Sequence, residues 1–159
     1  MTEFTITEVS PQRTAVVSAR VTLAELPRFF SRTFSHVAAA LARQGIVPSA
    51  PPFAFYTEAP GEWVEVEAGF PVTRQIQADG EVVPSKLPGG SAVTGMHIGP
   101  YETLEVTYEE LESWIRVHHL SPSGGMWEVY LAGPEANSDP NSWRTQIFQP
   151  VVHAAVSVR

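Results

Sequence analysis

The sequence predicts a single α+β domain with an antiparallel sheet and two main helices. The domain consists of two duplicated β-α-β-β halves, related by pseudo-two-fold symmetry, with a groove where the halves meet. A repeat is the first observation: an aromatic-rich run with Tyr56 and Pro60 lies 74 positions before a similar run with Tyr130 and Pro134. An amphipathic helical pattern precedes each run, and the runs alternate with a period of two. These patterns predict helices packed on half-buried antiparallel strands.

The repeat sets the boundaries that we expect within one domain covering residues 1–159. The first half spans about residues 4–78 and the second half about residues 91–152. Residues 79–90 contain Pro, Gly and charged residues without a period, which is typical of an exposed connection.

The first helix has clear start and stop signals. Thr22 and Glu25 have the spacing of a capping box, and Pro27 suits a first helical turn. Gly45 is a natural stop, because glycine readily takes the left-handed conformation after a last turn. The stripe that we expect to pack on the sheet consists of Leu26, Phe30, Thr33, Val37 and Leu41.

The second helix is predicted to begin after the turn at Gly99-Pro100 and to end at the Ser-, Pro- and Gly-rich residues 121–125. Its apolar stripe, interpreted as core, is Tyr101, Leu104, Tyr108, Leu111 and Ile115. The same helix carries an acidic cluster, interpreted as a solvated face, of Glu102, Glu105, Glu109, Glu110 and Glu112.

Composition argues against several classes of protein. The chain has no cysteine, so it has no disulfides, thiolate metal ligands or cysteine nucleophiles. It carries 17 acidic and 10 basic residues, for a net charge of −7, and Lys86 is the one lysine. Because a phosphate-binding surface needs clustered basic residues, we expect no direct nucleic-acid binding. We find no membrane-spanning run and no signal-peptide pattern, so we expect a cytoplasmic protein.

Motifs for metal or cofactor chemistry are absent from the sequence. His118 and His119 are adjacent and therefore cannot chelate as an i, i+4 pair does. There is no HExxH sequence, no nucleophile elbow, no phosphate-binding loop and no dinucleotide fingerprint. We therefore expect neither a metal nor a cofactor.

Strand alternation assigns side chains to faces. Glu128 and Tyr130 point to one side of their strand, whereas Trp127 and Val129 point to the other. On the last strand Arg144, Gln146 and Phe148 share a face, and on its counterpart in the first half Glu65, Glu67 and Gly69 do so. We expect one face of each hairpin to line the groove.

Glu128 is the most informative residue because its strand is otherwise apolar or aromatic. One interpretation is that its side chain faces solvent, as charged side chains usually do. The other is that it lies at the base of an aromatic pocket, where a desolvated carboxylate and ring faces suit an organic cation. The sequence leaves both interpretations open.

In order and spacing, the motifs of this chain resemble those of the gyrase-inhibitor-like (GyrI-like) small-molecule-binding family. The same domain is the effector-binding module of AraC-type and MerR-type multidrug regulators. The resemblance rests on Gly99-Pro100-Tyr101, then residues 127–130 (WEVY), a Pro-containing turn and residues 144–151 (RTQIFQPV). The first half agrees through residues 51–56 (PPFAFY) and 64–72 (VEVEAGFPV). The resemblance extends over about residues 4–152 of the chain.

The resemblance implies a duplicated fold with a ligand groove between the halves, in which Glu128 contacts lipophilic cations. Family members often carry an acid on the last strand, where this chain has Gln146, so a dicationic ligand is disfavoured. The chain begins with its first strand at Phe4. We therefore expect a free-standing version without the helix-turn-helix domain of the regulators.

Three functions stay open at this point. The first is a binding protein for drug sensing or sequestration, which captures a hydrophobic, cationic or aromatic ligand. Its candidate ligand-binding residues are Glu128, Tyr130, Tyr56, Glu67, Tyr101, Gln146, Phe148, Trp63 and Trp143. The second is a hydrolase that opens cyclopropane rings of DNA-alkylating natural products, as some family members do, with Glu128 and Tyr130 as catalytic residues. The third is an acidic protein inhibitor that binds a DNA topoisomerase, a protein partner, through the acidic helix.

Overall fold

The computed structural model describes residues 2–58, 61–133 and 139–153, so the turn residues Pro60 and Pro134 of the repeat lie outside the described residues. The strands are β1 (Phe4–Val9), β2 (Gln12–Thr22), β3 (Phe53–Tyr56), β4 (Trp63–Pro71), β5 (Val83–Leu87), β6 (Gly90–Ile98), β7 (Leu120–Pro122), β8 (Met126–Ala132) and β9 (Arg144–His153). The helices are α1 (Leu26–Arg43) and α2 (Leu104–Val117), and each follows a short 3-10 turn.

The strands form one curled antiparallel sheet in the order β1-β6-β9-β8-β3-β4-β2-β5, and β7 pairs with β9. The two halves meet at the central β3–β8 pair. On one side of this pair the order is β3, β4 and then β2, which precedes α1; on the other side it is β8, β9 and then β6, which precedes α2. The two halves are therefore β2-α1-β3-β4 and β6-α2-β8-β9. This arrangement confirms the predicted α+β fold with two helices and an antiparallel sheet.

The two outer strands are exchanged between the halves. β1 precedes β2 in the chain but pairs with β6, whereas β5 precedes β6 but pairs with β2. Residues 79–90, which were expected to be an exposed connection, therefore include a strand, and Val82 and Leu87 in this segment are buried. Pro84 is tolerated in β5 because an edge strand need not donate a hydrogen bond on its outer side.

The start and stop signals of α1 act as the sequence predicts. The backbone N–H of Thr22 donates to Oε1 of Glu25 at 2.8 Å, and the two residues form the capping box. Gly45, just beyond the helix, has a φ of 67°. The buried face of α1 covers the first half of the sheet through Phe29, Thr33, Val37, Ala40 and Leu41, while Phe30 is half-buried and contacts the second half.

The second helix ends earlier than the sequence predicts. It stops at Val117, and His119 takes a φ of 56°, which turns the chain into β7. The pairing of β7 with β9 ends the helix, and this long-range contact has no local signal. Four of the five acidic residues of the cluster are exposed and Glu110 is half-buried, as expected of a solvated helix face.

Both faces of the sheet carry apolar cores. The face covered by the helices, called here the helix face, has one cluster under α1 and another under α2. The opposite face, enclosed by the curl of the sheet, holds a third cluster around Phe53 and Trp127. A side chain that points to the face opposite the helices can therefore also be buried.

Candidate functional site

Glu128 lies on the helix face, where the two halves meet. Its cross-strand neighbours are Ala54 on β3 and Ile147 on β9, and paired residues of an antiparallel sheet point to the same side. Ala54 belongs to the core under α1 and Ile147 to the core under α2. The Glu128 residue is 6% exposed, which rules out the solvent-facing interpretation.

Two tyrosine hydroxyls satisfy the buried carboxylate. The hydroxyl of Tyr108, on α2, donates a hydrogen bond to Oε2 of Glu128. The hydroxyl of Tyr130, two residues along the same strand, donates to Oε1 at 2.7 Å. Among the described residues, no basic side chain lies within ion-pairing distance of this carboxylate. Glu128 is thus a desolvated acid that is paired with neutral donors.

Burial dominates the electrostatics of this cluster. It raises the pKa of Glu128, while the hydrogen bonds from Tyr108 and Tyr130 and the nearby His97 partly oppose that rise. Burial and the adjacent carboxylate also raise the pKa of Tyr56, Tyr108 and Tyr130. The three phenols therefore stay protonated at neutral pH and serve as hydrogen-bond donors.

Aromatic rings form a wall beside the carboxylate. The ring centroid of Tyr130 lies 5.8 Å from that of Phe30 and 6.0 Å from that of Phe34, both on α1. The ring of Tyr101 also contacts that of Tyr130, at 6.0 Å between centroids, and that of Trp143, at 5.0 Å. These rings come from both halves, so the wall spans the seam.

His97 anchors the start of α2 beside this site. Because the carbonyl of Pro100 only accepts, the Nε2–H of His97 donates to it at 3.0 Å. The Nδ1 atom and the hydroxyl of Thr107, on α2, share a second hydrogen bond at 2.7 Å. This pair of contacts fixes the backbone from which Tyr101 and Tyr108 project.

Five of the candidate residues from the sequence are brought together on the helix face. Tyr130 hydrogen-bonds Glu128 directly, and Tyr56 lies close enough that the Glu128 charge helps to raise its pKa. Tyr101 and Trp143 complete the aromatic wall. Their role in ligand binding stays a prediction, but their placement around one carboxylate agrees with it.

The other four candidates, Glu67, Gln146, Phe148 and Trp63, lie on the opposite face, so the expectation that one groove contains all nine is corrected. Pairing of Glu128 with Ile147 puts Gln146 and Phe148 on the other side of β9, where Phe148 stacks on Trp127 at 5.1 Å. Glu67 is the cross-strand neighbour of Phe55 and accepts a hydrogen bond from Ser85 at 2.8 Å.

Trp63, at the start of β4, does not close the site. It is 47% exposed, and the guanidinium of Arg20 lies 5.1 Å from its ring centroid. Glu67 borders a separate recess of about 330 Å³ on that face, with Arg20 and Glu65. These residues surround a polar surface rather than the buried carboxylate.

Sequence reasoning missed three contributors to the site. Tyr108 was assigned to the core stripe of α2, although a buried tyrosine hydroxyl usually needs a partner, and that rule points to a nearby acid. Phe30 was likewise assigned to the core of α1. Phe34, also on α1, had no local signal that would place it against the second half of the chain.

Two negative findings limit the chemistry. Among the described residues, no group of three or more His, Asp or Glu side chains is arranged to hold a metal ion. None of the helices within residues 2–58, 61–133 and 139–153 combines the length and apolar character needed to span a bilayer.

Comparison with known proteins identifies the family. No curated protein matches the sequence. The fold matches that of the C-terminal domain of EcmrR (20% identity, TM-score 0.86), covering 97% of this chain and 99% of that one. It also matches SAV2435 bound to tetraphenylphosphonium (14%, TM-score 0.68, 94% of each chain) and a hydrolase from Listeria innocua (14%, TM-score 0.64, 94% and 92%). The model of the GyrI-like small molecule binding domain matches residues 2–152, and the chain therefore belongs to this family.

Proposed function

We propose that this domain binds hydrophobic aromatic cations at Glu128, for sensing or sequestering such compounds. The observation that carries the proposal is the buried carboxylate, which has two phenol partners and, among the described residues, no basic one. A charge without a counter-charge is costly to bury, so a cation would relieve an existing cost. The fold of SAV2435, which is similar, has been solved with the organic cation tetraphenylphosphonium.

The aromatic wall supplies the rest of the affinity. Ring faces attract a cation through their quadrupoles and bury its apolar surface at the same time. Tyr130 carries both features, because its hydroxyl contacts the carboxylate and its ring contacts Phe30 and Phe34. A flat or propeller-shaped aromatic cation fits these surfaces better than an ammonium on an aliphatic chain.

Tyr101 is the proposed entry point. It is 37% exposed, and it is more exposed than the other aromatic side chains of the site. Displacing its ring would uncover Tyr130, and through it Glu128. Because a bound cation favours the charged carboxylate, it lowers the pKa of Glu128, and cation binding should tighten as the pH rises.

Tetraphenylphosphonium and tetraphenylborate give a direct test, because they have nearly the same shape and opposite charges. We expect the phosphonium to bind and to quench tryptophan fluorescence, with higher affinity at about pH 8 than at about pH 5.5, and the borate to bind at least about tenfold more weakly, in line with the strength of charge-assisted contacts. Isothermal titration of both ions provides the measurement. Equal affinity for the two ions, or a preference for the borate, would contradict the proposal.

Hydrolysis is a second candidate, and the raised pKa of Glu128 favours it. A buried carboxyl group whose pKa is raised, and which lies beside phenol donors, suits general acid–base catalysis. Glu128 would take a proton from water as the water oxygen bonds to a cyclopropane carbon. The ring C–C bond at that carbon would break, and its electron pair would move to the conjugated carbonyl oxygen, which the Tyr130 hydroxyl would polarise. A protein of similar fold is named a hydrolase.

Turnover distinguishes the two candidates. If the domain is a hydrolase, incubation with a cyclopropane-containing alkylating compound gives a ring-opened, hydrated product in many-fold excess over protein, and Glu128→Gln loses at least about 100-fold in rate, as removal of a general base does. Mass spectrometry of the product measures both. Recovery of unchanged compound in a one-to-one complex would leave binding as the function.

A further inference from the structure

One hydroxyl on the sheet beside Tyr130 has no hydrogen-bond partner within the part of the chain that the structure describes. Thr145, on β9, is completely buried, and its Oγ1 atom makes no hydrogen bond with any described residue. Buried polar atoms in folded proteins are nearly always paired, so an exception needs a reason. In a domain that binds small molecules, one such reason is that a ligand supplies the partner.

The position of Thr145 places it within the site. Its cross-strand neighbours are Tyr130 on β8 and His97 on β6, so it shares the helix face with both. Trp143, two residues earlier, contacts Tyr101, which in turn contacts Tyr130. The hydroxyl therefore lies on the sheet beside Tyr130, in the region bounded by the ring of Tyr101.

Neither neighbour forms a hydrogen bond with Thr145, and the polar atoms of both are engaged with other groups. The two ring nitrogens of His97 are engaged with Pro100 and Thr107. The hydroxyl of Tyr130 is donated to Glu128. The site thus contains a carboxylate whose partners are phenols. Beside Tyr130 it also contains a hydroxyl that no described residue satisfies.

We propose that Thr145 is a hydrogen-bonding subsite of the ligand site and selects aromatic cations that carry an N–H or O–H group. The proposal rests on the function proposed above and narrows the ligands from aromatic cations in general to those that can donate a hydrogen bond. An N–H of the ligand would donate to Thr145 Oγ1, while the delocalised positive charge lies toward Glu128. A fully alkylated cation would leave this hydroxyl unpaired and lose that contribution.

Two rhodamine dyes provide a matched test. Rhodamine 123 and tetramethylrhodamine methyl ester are both monocationic methyl esters, but the first has N–H groups where the second has N-methyl groups. We expect Thr145→Val to weaken rhodamine 123 binding by about five- to tenfold and to change the affinity for the tetramethyl dye by less than about twofold. Fluorescence anisotropy titration of each dye measures both effects.

The chain provides a matched control in Thr14. It is also buried, and its Oγ1 atom has no hydrogen-bond partner among the described residues. It shares the opposite face with Val16, however, and lies across from Ser85 and Pro71. Thr14→Val should leave both dye affinities unchanged. Because valine removes an unsatisfied hydroxyl at nearly constant shape, both variants should melt at or above the wild-type temperature.

The outcomes separate this proposal from the broader one. If neither dye binds the wild-type protein, the proposed cation site itself is contradicted. If both dyes bind and Thr145→Val leaves the ratio of their affinities unchanged, the Thr145 subsite alone is contradicted. A melting temperature for Thr145→Val well below that of Thr14→Val would also overturn it, since the hydroxyl would then be satisfied within the free protein.

Discussion

Replacing Tyr108 with Phe should lower the free energy of unfolding by about 1.5–3 kcal/mol at about pH 8, the range for a hydrogen bond to a charged group. The hydroxyl of Tyr108 is one of two donors to the Glu128 carboxylate, which is 6% exposed. Water cannot readily replace a donor that is lost there. The remaining ring of Phe keeps the packing of α2 against the sheet nearly constant, so the loss reports on the hydroxyl.

The decrease in the free energy of unfolding caused by Tyr108→Phe should be smaller at low pH. Burial raises the pKa of folded Glu128 above that of the unfolded chain, so the folded protein holds its proton more tightly, and stability falls as the pH rises above about 4.3, the ordinary glutamate value. The bond from Tyr108 opposes this rise in pKa, so Tyr108→Phe makes the fall steeper. Below that pH both states are protonated, and a neutral hydrogen bond is all that is lost.

Urea unfolding at about pH 4.5 and about pH 8 measures this difference. Tyr108→Phe made in a Glu128→Gln background is the control, because no carboxylate is present and the effect should no longer depend on pH. An equal loss of stability at both pH values in the wild-type background would mean that Tyr108 does not act through a charged Glu128.

Features of the fold that depend on local chemistry could be predicted from the sequence. The capping box of Thr22 and Glu25 and the stop at Gly45 act within a few residues. The first is found at the 3-10 turn that leads into α1 and the second just beyond the end of α1. The relative faces of neighbouring residues on one strand are equally local. Glu128 and Tyr130 do share a face, and Trp127 lies on the other.

The sequence could not determine the register of neighbouring strands, and therefore not which of their side chains lie on the same face of the sheet. Alternation shows that Gln146 and Phe148 share a face, but it does not show which face of β9 adjoins Glu128. That depends on the register, which opposes Glu128 to Ile147. A shift of one residue exchanges every side chain on a strand between the faces, so an error in phase misplaces all of them together.

Long-range pairing explains the remaining differences. Residues 79–90 have no alternating pattern that would predict a strand. β5 forms there because it pairs with the edge of β2, which lies more than 60 residues earlier in the sequence. Tyr108 belongs to the apolar stripe of α2, as the sequence predicts, yet its hydroxyl reaches an acid on β8. A helix stripe thus identifies which residues face the sheet but not which polar atom they meet there.

Removing the charge of Glu128 should strongly weaken the binding of an organic cation. A charge-assisted contact in a desolvated site contributes about 1–3 kcal/mol, which corresponds to about 5- to 150-fold in affinity. Glu128→Gln keeps the shape of the side chain and can still interact with the tyrosines, so the change isolates the charge. Glu67→Gln is the matched control, because it removes an acid from the opposite face of the sheet.

Titration of wild-type, Glu128→Gln and Glu67→Gln proteins with rhodamine 6G, followed by tryptophan quenching, is the most direct test. The account predicts a large loss of affinity for Glu128→Gln and wild-type affinity for Glu67→Gln. Wild-type affinity in Glu128→Gln, or a greater loss in Glu67→Gln, would show that the buried carboxylate at the seam does not bind the cation.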